Sequence, residues 1–420
     1  MDDEADIAVV GAGAAGLMAA IWAGRTLGAS GRVIALDGAK KIGAKILVAG
    51  GGRCNVTHHT VDEGQYAGST PHAIRKVLRR FDVPDTVAFF KALGVELKRE
   101  KTGKIFPVTD DANTVLSALL GAAADAGVEL RHPWRVDRVA REGEVFVVRG
   151  EGGGAAIRAG RVIIAAGGKA LPRSGSDGAG YAMVRELGHS VTPRVFPALV
   201  PLVLGKGHWI TGLSGISAEV TLELRGGTGK RIKAFTNSML CTHFGISGPA
   251  AMDMSRYLAG ARFEDPAAGL VVNWLPGESG DSVDAMLVGL GRTTPSKWLR
   301  ERGLPERLSE AICAAAGANP AAPGHGLPRD LRRALARCVT QMPLPVVGDR
   351  GFTYAEVTAG GVPLSEVDLD TMESRVCRGL HLCGEILDVD GRIGGFNFQW
   401  AWASGHLAGR GAADGQKIAR

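Results

Sequence analysis

The run Gly11-Ala12-Gly13-Ala14-Ala15-Gly16, followed about twenty positions on by Asp37, has the residue types and spacing that hold the two phosphates and one ribose of a dinucleotide. Each position has its own task. Gly11 must turn tightly out of a strand, Gly13 lets the chain approach a pyrophosphate, and Gly16 lets the next helix lie close to the strand. Ala14 and Ala15 open that helix and offer N–H groups and the positive end of its dipole to phosphate. Further along, Lys45, Gly52, Arg53, Cys54 and Asn55 lie on a polar, glycine-rich loop suited to run past a pyrophosphate toward the far end of the ligand. Gly384 with Glu385, then Gly395, Phe396, Asn397 and Gln399, offer a strand-terminal carboxylate and a second helix N-terminus. Cys54 and His243 are the side chains that could deliver a proton.

Apolar runs place these groups. Ile7 to Val10 and Val33 to Leu36 read as parallel strands buried on both faces, with a helix between them. The run Arg161 to Ala165 ends in Ala166-Gly167-Gly168 and resembles the strand that closes the β-meander in flavoproteins with two dinucleotide folds. That resemblance puts Ala166 and Gly167 beside a cofactor. Trp134 to Val139 is another strand, with Val136 on the cofactor side. Residues 71 to 94 and 111 to 126 carry helical spacing, and residues 40 to 57 read as a loop. A new regime begins at Pro197. Short strands fall at 195–204, 217–224, 231–235 and 269–275, and helices at 282–290, 294–302, 305–316 and 328–341. The expected fold is α/β: a split Rossmann-like, cofactor-binding domain over 1–196 and 343–420. Residues 197–342 form an inserted domain that covers the cofactor, β-barrel-like to about 278 and helical from about 279.

Composition narrows the class. A hydrophobic share of 45% with 22% charged residues is that of an ordinary globular protein, and 420 residues leave room for two or three domains. Ile7 to Gly24 lacks any charge, but Gly11, Gly13, Gly16 and Gly24 argue for strand-turn-helix over a membrane span. The acidic start Met1-Asp2-Asp3-Glu4 opposes a secretory leader, so a cytoplasmic protein is expected. Six cysteines without a Cys-x-x-Cys pair exclude a redox dithiol and a zinc ribbon. His58 and His59 lack further ligands, so no metal is expected. The net charge of +6 is mild. Arg75-Lys76 with Arg79-Arg80, and Arg329 with Arg332-Arg333 and Arg337, read first as solvated helix faces and second as contacts for RNA phosphates.

Several longer strings resemble the BaiN/RdsA-like family of bacterial NAD(P)/FAD-dependent oxidoreductases. They are Gly50-Gly51-Gly52-Arg53-Cys54-Asn55-Val56-Thr57, Pro197 to Leu202, Thr242-His243-Phe244-Gly245-Ile246-Ser247-Gly248-Pro249, Val357 to Val362, Thr371 to Arg375 and Gly384 to Gln399. The resemblance implies bound FAD, NAD(P)H as a transient reductant, and reduction of a conjugated C=C bond. The substrate it implies is either a small enone or a uracil of ribosomal RNA. Asp37 stands where the family carries Glu, and Gly175 to Gly180 departs from the family string. Two alternatives stay open: a flavin oxidase or monooxygenase using oxygen, and a non-catalytic flavoprotein that binds RNA or assists assembly. Cys54 has its own alternative, as a small hydrophobe packed beside the flavin.

Overall fold

The computed structural model describes residues 3–153 and 156–419, with side chains up to 416. The chain forms two compact units, Met1–Pro197 with Glu356–Arg420, and Ala198–Ala355.

In the first unit β1 (Asp3–Val10) turns into α1 (Ala14–Leu27) and returns as β2 (Val33–Leu36). β1 and β2 run parallel, with Ile7 opposite Val33 and Val10 opposite Leu36. Both of their faces are covered, which is why residues 7–10 and 33–36 are apolar and buried without interruption. The strand Ile157–Ile164 lies on the other side of β1 and forks. Its first half pairs antiparallel with residues 146–148, and its second half pairs parallel with Leu380–Leu382. A segment from the carboxyl end is thus built into the sheet that the amino end begins.

The C-terminal helix Phe396–Ala419 lies on α1 with backbone against backbone. A Cβ on Gly405 would collide with the Ala15 carbonyl oxygen, and one on Gly409 with that of Ala19. Small residues at i and i+4 on both helices allow this approach, and the stabilisation is dispersion along two backbones.

The second unit has a seven-stranded sheet in the order Met342–Leu344, Gly269–Asn273, Ser217–Arg225, Arg231–Thr242, Gly245–Ser247, Leu202–Leu204, Val346–Asp349. Its two edge strands are joined through Pro345 alone, so the sheet must curl until its edges are neighbours, as in a barrel. The helices Gly280–Val288, Pro295–Glu301, Glu306–Ala315 and Arg329–Thr340 follow. Ser279 and Thr294 cap the first two through their hydroxyls, with Pro295 in the first turn.

Four sequence expectations are corrected. The strand expected at 231–235 runs on to Thr242, because residues 236–242 find partners in Ser217–Thr221 and Gly245–Ser247. The helical spacing over 71–94 is two helices, Pro71–Leu78 and Val83–Ala92, since the Asp82 carboxylate caps a new start. Residues 44–52 begin as a helix, which Gly50 and Gly51 break with left-handed backbone. Residues 343–355 lie in the second unit, where 346–349 pair with Leu202–Leu204.

Two predictions follow from this packing. Gly409→Val should cost about 3 kcal/mol through forced separation of the helices, and lower Tm by several degrees. Gly121→Ala, on an exposed helix face with open space around it, should leave Tm unchanged or raise it. Equal Tm for both variants would refute the close approach. The second concerns acid. Burial pushes the His381 imidazole down to about 3, with Arg161 adding to the effect, and burial pushes His406 down to about 4, with Arg410 adding. The unfolded chain therefore takes up protons from pH 6.5 downward while the native chain does not, and stability falls across that window by about 1.4 kcal/mol per pH unit per histidine. Tm should drop between pH 7 and 5, and His381→Leu should flatten that drop; an equal slope in the variant would contradict it.

Candidate functional site

The glycine turn is shaped by contacts that explain two of its three glycines. Gly11 has φ +96°, and a Cβ there would meet the Ala165 carbonyl 2.5 Å away; a Cβ on Gly16 would strike the Gly11 carbonyl. Gly13 differs. Its φ of −75° suits any residue, and no atom lies within 4 Å of where its Cβ would be. The fold does not need a glycine there, but a ligand seated against the backbone would. Gly13 is also the N-cap of α1, and among the described residues no side chain caps the first-turn amides from Ala14 on.

The Asp37 carboxylate is aimed from both sides. One oxygen accepts from Ala12 N at 2.8 Å and the other from Ala39 N at 2.8 Å, which leaves each a further lone pair for a hydroxyl. The Asp37 carbonyl accepts from Trp134 N at 2.7 Å, and this ties in the strand that carries Val136. Val136 itself is buried in the core.

A second group gathers around Glu385. Its Oε2 accepts from Lys45 Nζ at 2.6 Å and its Oε1 from Thr358 N at 2.9 Å, and Lys45 also reaches Ser176 Oγ at 3.2 Å. Gly167 has φ +73°, and a Cβ on it would press on Ser176 Oγ. A Cβ on Gly384 would press on Ala15 of α1, and Ala166 lies against Gly11. The glycine turn, Ala166-Gly167 and Gly384-Glu385 thus form one continuous rim. Ser176 and Thr358 were not singled out from the sequence. Thr358 sits in the 357–362 string, which carried a resemblance but no chemical reason.

The loop before Thr57 joins the rim from the other side. Gly395, with φ +96°, lies so close to the Thr57 backbone that a Cβ would overlap it. The Phe396 carbonyl accepts from the Tyr66 hydroxyl, and the ring stacks on His58 at 4.9 Å. Several polar residues expected at a ligand are engaged within the protein instead. Gln399, 1% exposed, accepts from Thr57 and Thr86 and donates to the Phe81 carbonyl. Asn397 holds both the N–H and the carbonyl of Gly391. Arg53 pairs with Glu100 at 2.7 Å and covers the Phe106 ring at 4.0 Å. Gly52 is exposed, with φ +86°. Asn55 is different: its buried Oδ1 has no hydrogen-bond partner among the described residues.

The two proton-donor candidates fall in different units. Cys54 has φ +58° and a side chain that is 0% exposed, and burial pushes its thiol up to about 12. Its enclosure matches the packing of a small hydrophobe, and at neutral pH it keeps the thiol protonated. His243 belongs to the second unit, exposed at the turn between Arg231–Thr242 and Gly245–Ser247. The open Cβ position at Gly13, the uncapped amides of α1, the half-satisfied Asp37 carboxylate and the orphaned Asn55 Oδ1 fit the ADP half and linked ring of a dinucleotide.

Comparison with known proteins agrees with this geometry. A 3-dehydro-bile acid delta(4,6)-reductase of Clostridium scindens is 36% identical over 97% of this chain and 99% of its own length. A ribosomal RNA dihydrouridine synthase of Escherichia coli is 31% identical over 95% of this chain and 96% of its own. Among solved structures, a 3-ketosteroid delta1-dehydrogenase of Sterolibacterium denitrificans matches with TM-score 0.53 at 13% identity, covering 98% of this chain and 100% of that one, which shows a shared fold. Residues 5–411 match the HI0933-like protein Rossmann domain, and with a full-length relative 36% identical the chain belongs to the HI0933-like family.

Proposed function

We propose that this chain is a cytoplasmic FAD-dependent oxidoreductase that uses NAD(P)H to reduce a carbon–carbon double bond conjugated to a carbonyl, in a small enone or in a uracil of ribosomal RNA. The observation that carries the reading is Gly13, a glycine with no packing reason to be one, at the uncapped start of α1. The 36% relative reduces a bile-acid double bond by its name, and the 31% relatives make dihydrouridine in ribosomal RNA. Both reactions add hydrogen across an activated alkene.

Bound FAD would supply the hydride. Ala14, Ala15 and the α1 dipole would hold its pyrophosphate, and Asp37 would take its ribose hydroxyls. Lys45 and Thr358 fix the Glu385 carboxylate so that its remaining lone pairs face the rim.

Purified protein should be yellow, bleach with NADH or NADPH without oxygen, and recover its colour when a 3-oxo-4,6-diene steroid acid or a ribosomal RNA fragment is added. Protein that stays colourless with added FAD, or bleached protein that neither acceptor reoxidises, would overturn the reading. Gly13→Ala should fold with unchanged apo-protein Tm and raise the Kd for FAD at least tenfold, about 1.4 kcal/mol; an unchanged Kd would remove the argument from Gly13.

A further inference from the structure

In the second unit Arg350 lies over two rings. Its guanidinium carbon lies 4.4 Å from the Phe244 centroid and 3.9 Å from that of Tyr354. Topology brings these residues together. The short strand Leu202–Leu204 pairs with Gly245–Ser247 on one side and Val346–Asp349 on the other, so Phe244 and Arg350 flank it although they are far apart in the chain. Leu204 N donates to the Phe244 carbonyl at 3.0 Å, and Arg350 N donates to the Pro201 carbonyl at 3.1 Å. His243 stands edge-on to Phe244 with centroids 5.0 Å apart, and Tyr354 is 51% exposed.

Stacking occupies the two faces of a guanidinium and leaves its N–H edge outward, as a rigid fork. Arg53 and Arg141 spend that edge within the protein, on Glu100 and on Glu144 with the Arg378 carbonyl, whereas among the described residues Arg25, over Trp22 and Phe89, does not. Among the described residues, the side-chain N–H groups of Arg350 meet no acceptor and no carboxylate pairs with it. A positive fork without an internal counter-charge among the described residues, bordered by an exposed tyrosine and histidine, has the chemistry of a receptor for an oxyanion that offers two oxygens.

We propose that Arg350, set against Phe244 and Tyr354, binds an oxyanion through two parallel N–H bonds. The anion is the carboxylate of a small acid or a phosphate group, and the two sources separate by experiment.

Calorimetric titration of the FAD-loaded protein with cholate, a steroid carboxylate, and separately with inorganic phosphate reads the site without turnover. The wild type should bind at least one at millimolar concentration or below. Arg350→Gln should weaken that binding at least tenfold, with flavin content and Tm unchanged, and Arg350→Lys should restore only part of it. Cholate binding abolished by Arg350→Gln points to a small acid, and phosphate binding alone points to a phosphate group. Wild-type protein that binds neither, or binding equal in Arg350→Gln, overturns the proposal.

Discussion

Gly405 and Gly409 rest on the carbonyls of Ala15 and Ala19, and this contact between helices from opposite ends of the chain sets the geometry of the first unit. It places the start of α1 next to the segment that follows Leu380–Leu382. That is why Gly384 lies against Ala15 and why Glu385 can reach Lys45. A larger residue at either glycine would move one helix off the other, and the rim around Gly13 would open with it.

Around that rim the polar residues divide by what they touch. Gln399, Asn397, Arg53 and Thr358 hold the backbone in shape, with their hydrogen bonds closed inside the protein. Ser374, His189 and Glu366 form a chain of hydrogen bonds that looks like a hydrolytic triad. The serine oxygen also accepts from the amides of Val376 and Cys377, and the histidine side chain is fully buried, so the chain braces a loop. Gly13, the Asp37 carboxylate and the Asn55 Oδ1 keep unspent capacity. Unspent capacity is what distinguishes a binding group from a scaffold group of the same residue type.

Much of this was legible in the residues. Strand β1, the glycine turn and α1 follow from an apolar run, three glycines at fixed spacing and a helical pattern, all local signals. Glu385 beside a cofactor rim was expected from its place at a strand end. What local signals could not reveal is closure: Gln399 and Asn397 look alike in sequence whether they face a ligand or a backbone, and only the fold supplies Thr57, Thr86 and Gly391 as partners. The enclosure of Cys54 was hidden for the same reason, since burial is a property of the packed core. Arg350 gave little signal, because one of its two rings, Phe244, comes from a turn about a hundred residues away.

The central claim is that both ends of the chain grip one FAD. A crystal structure of the flavin-loaded protein tests it most directly. The claim predicts the pyrophosphate over the amides of Gly13 to Ala15, a ribose on Asp37, and the remainder of the cofactor along residues 384–397. A flavin that touches the amino-terminal segment and nothing from 384–397, or that sits away from Gly13, would contradict it.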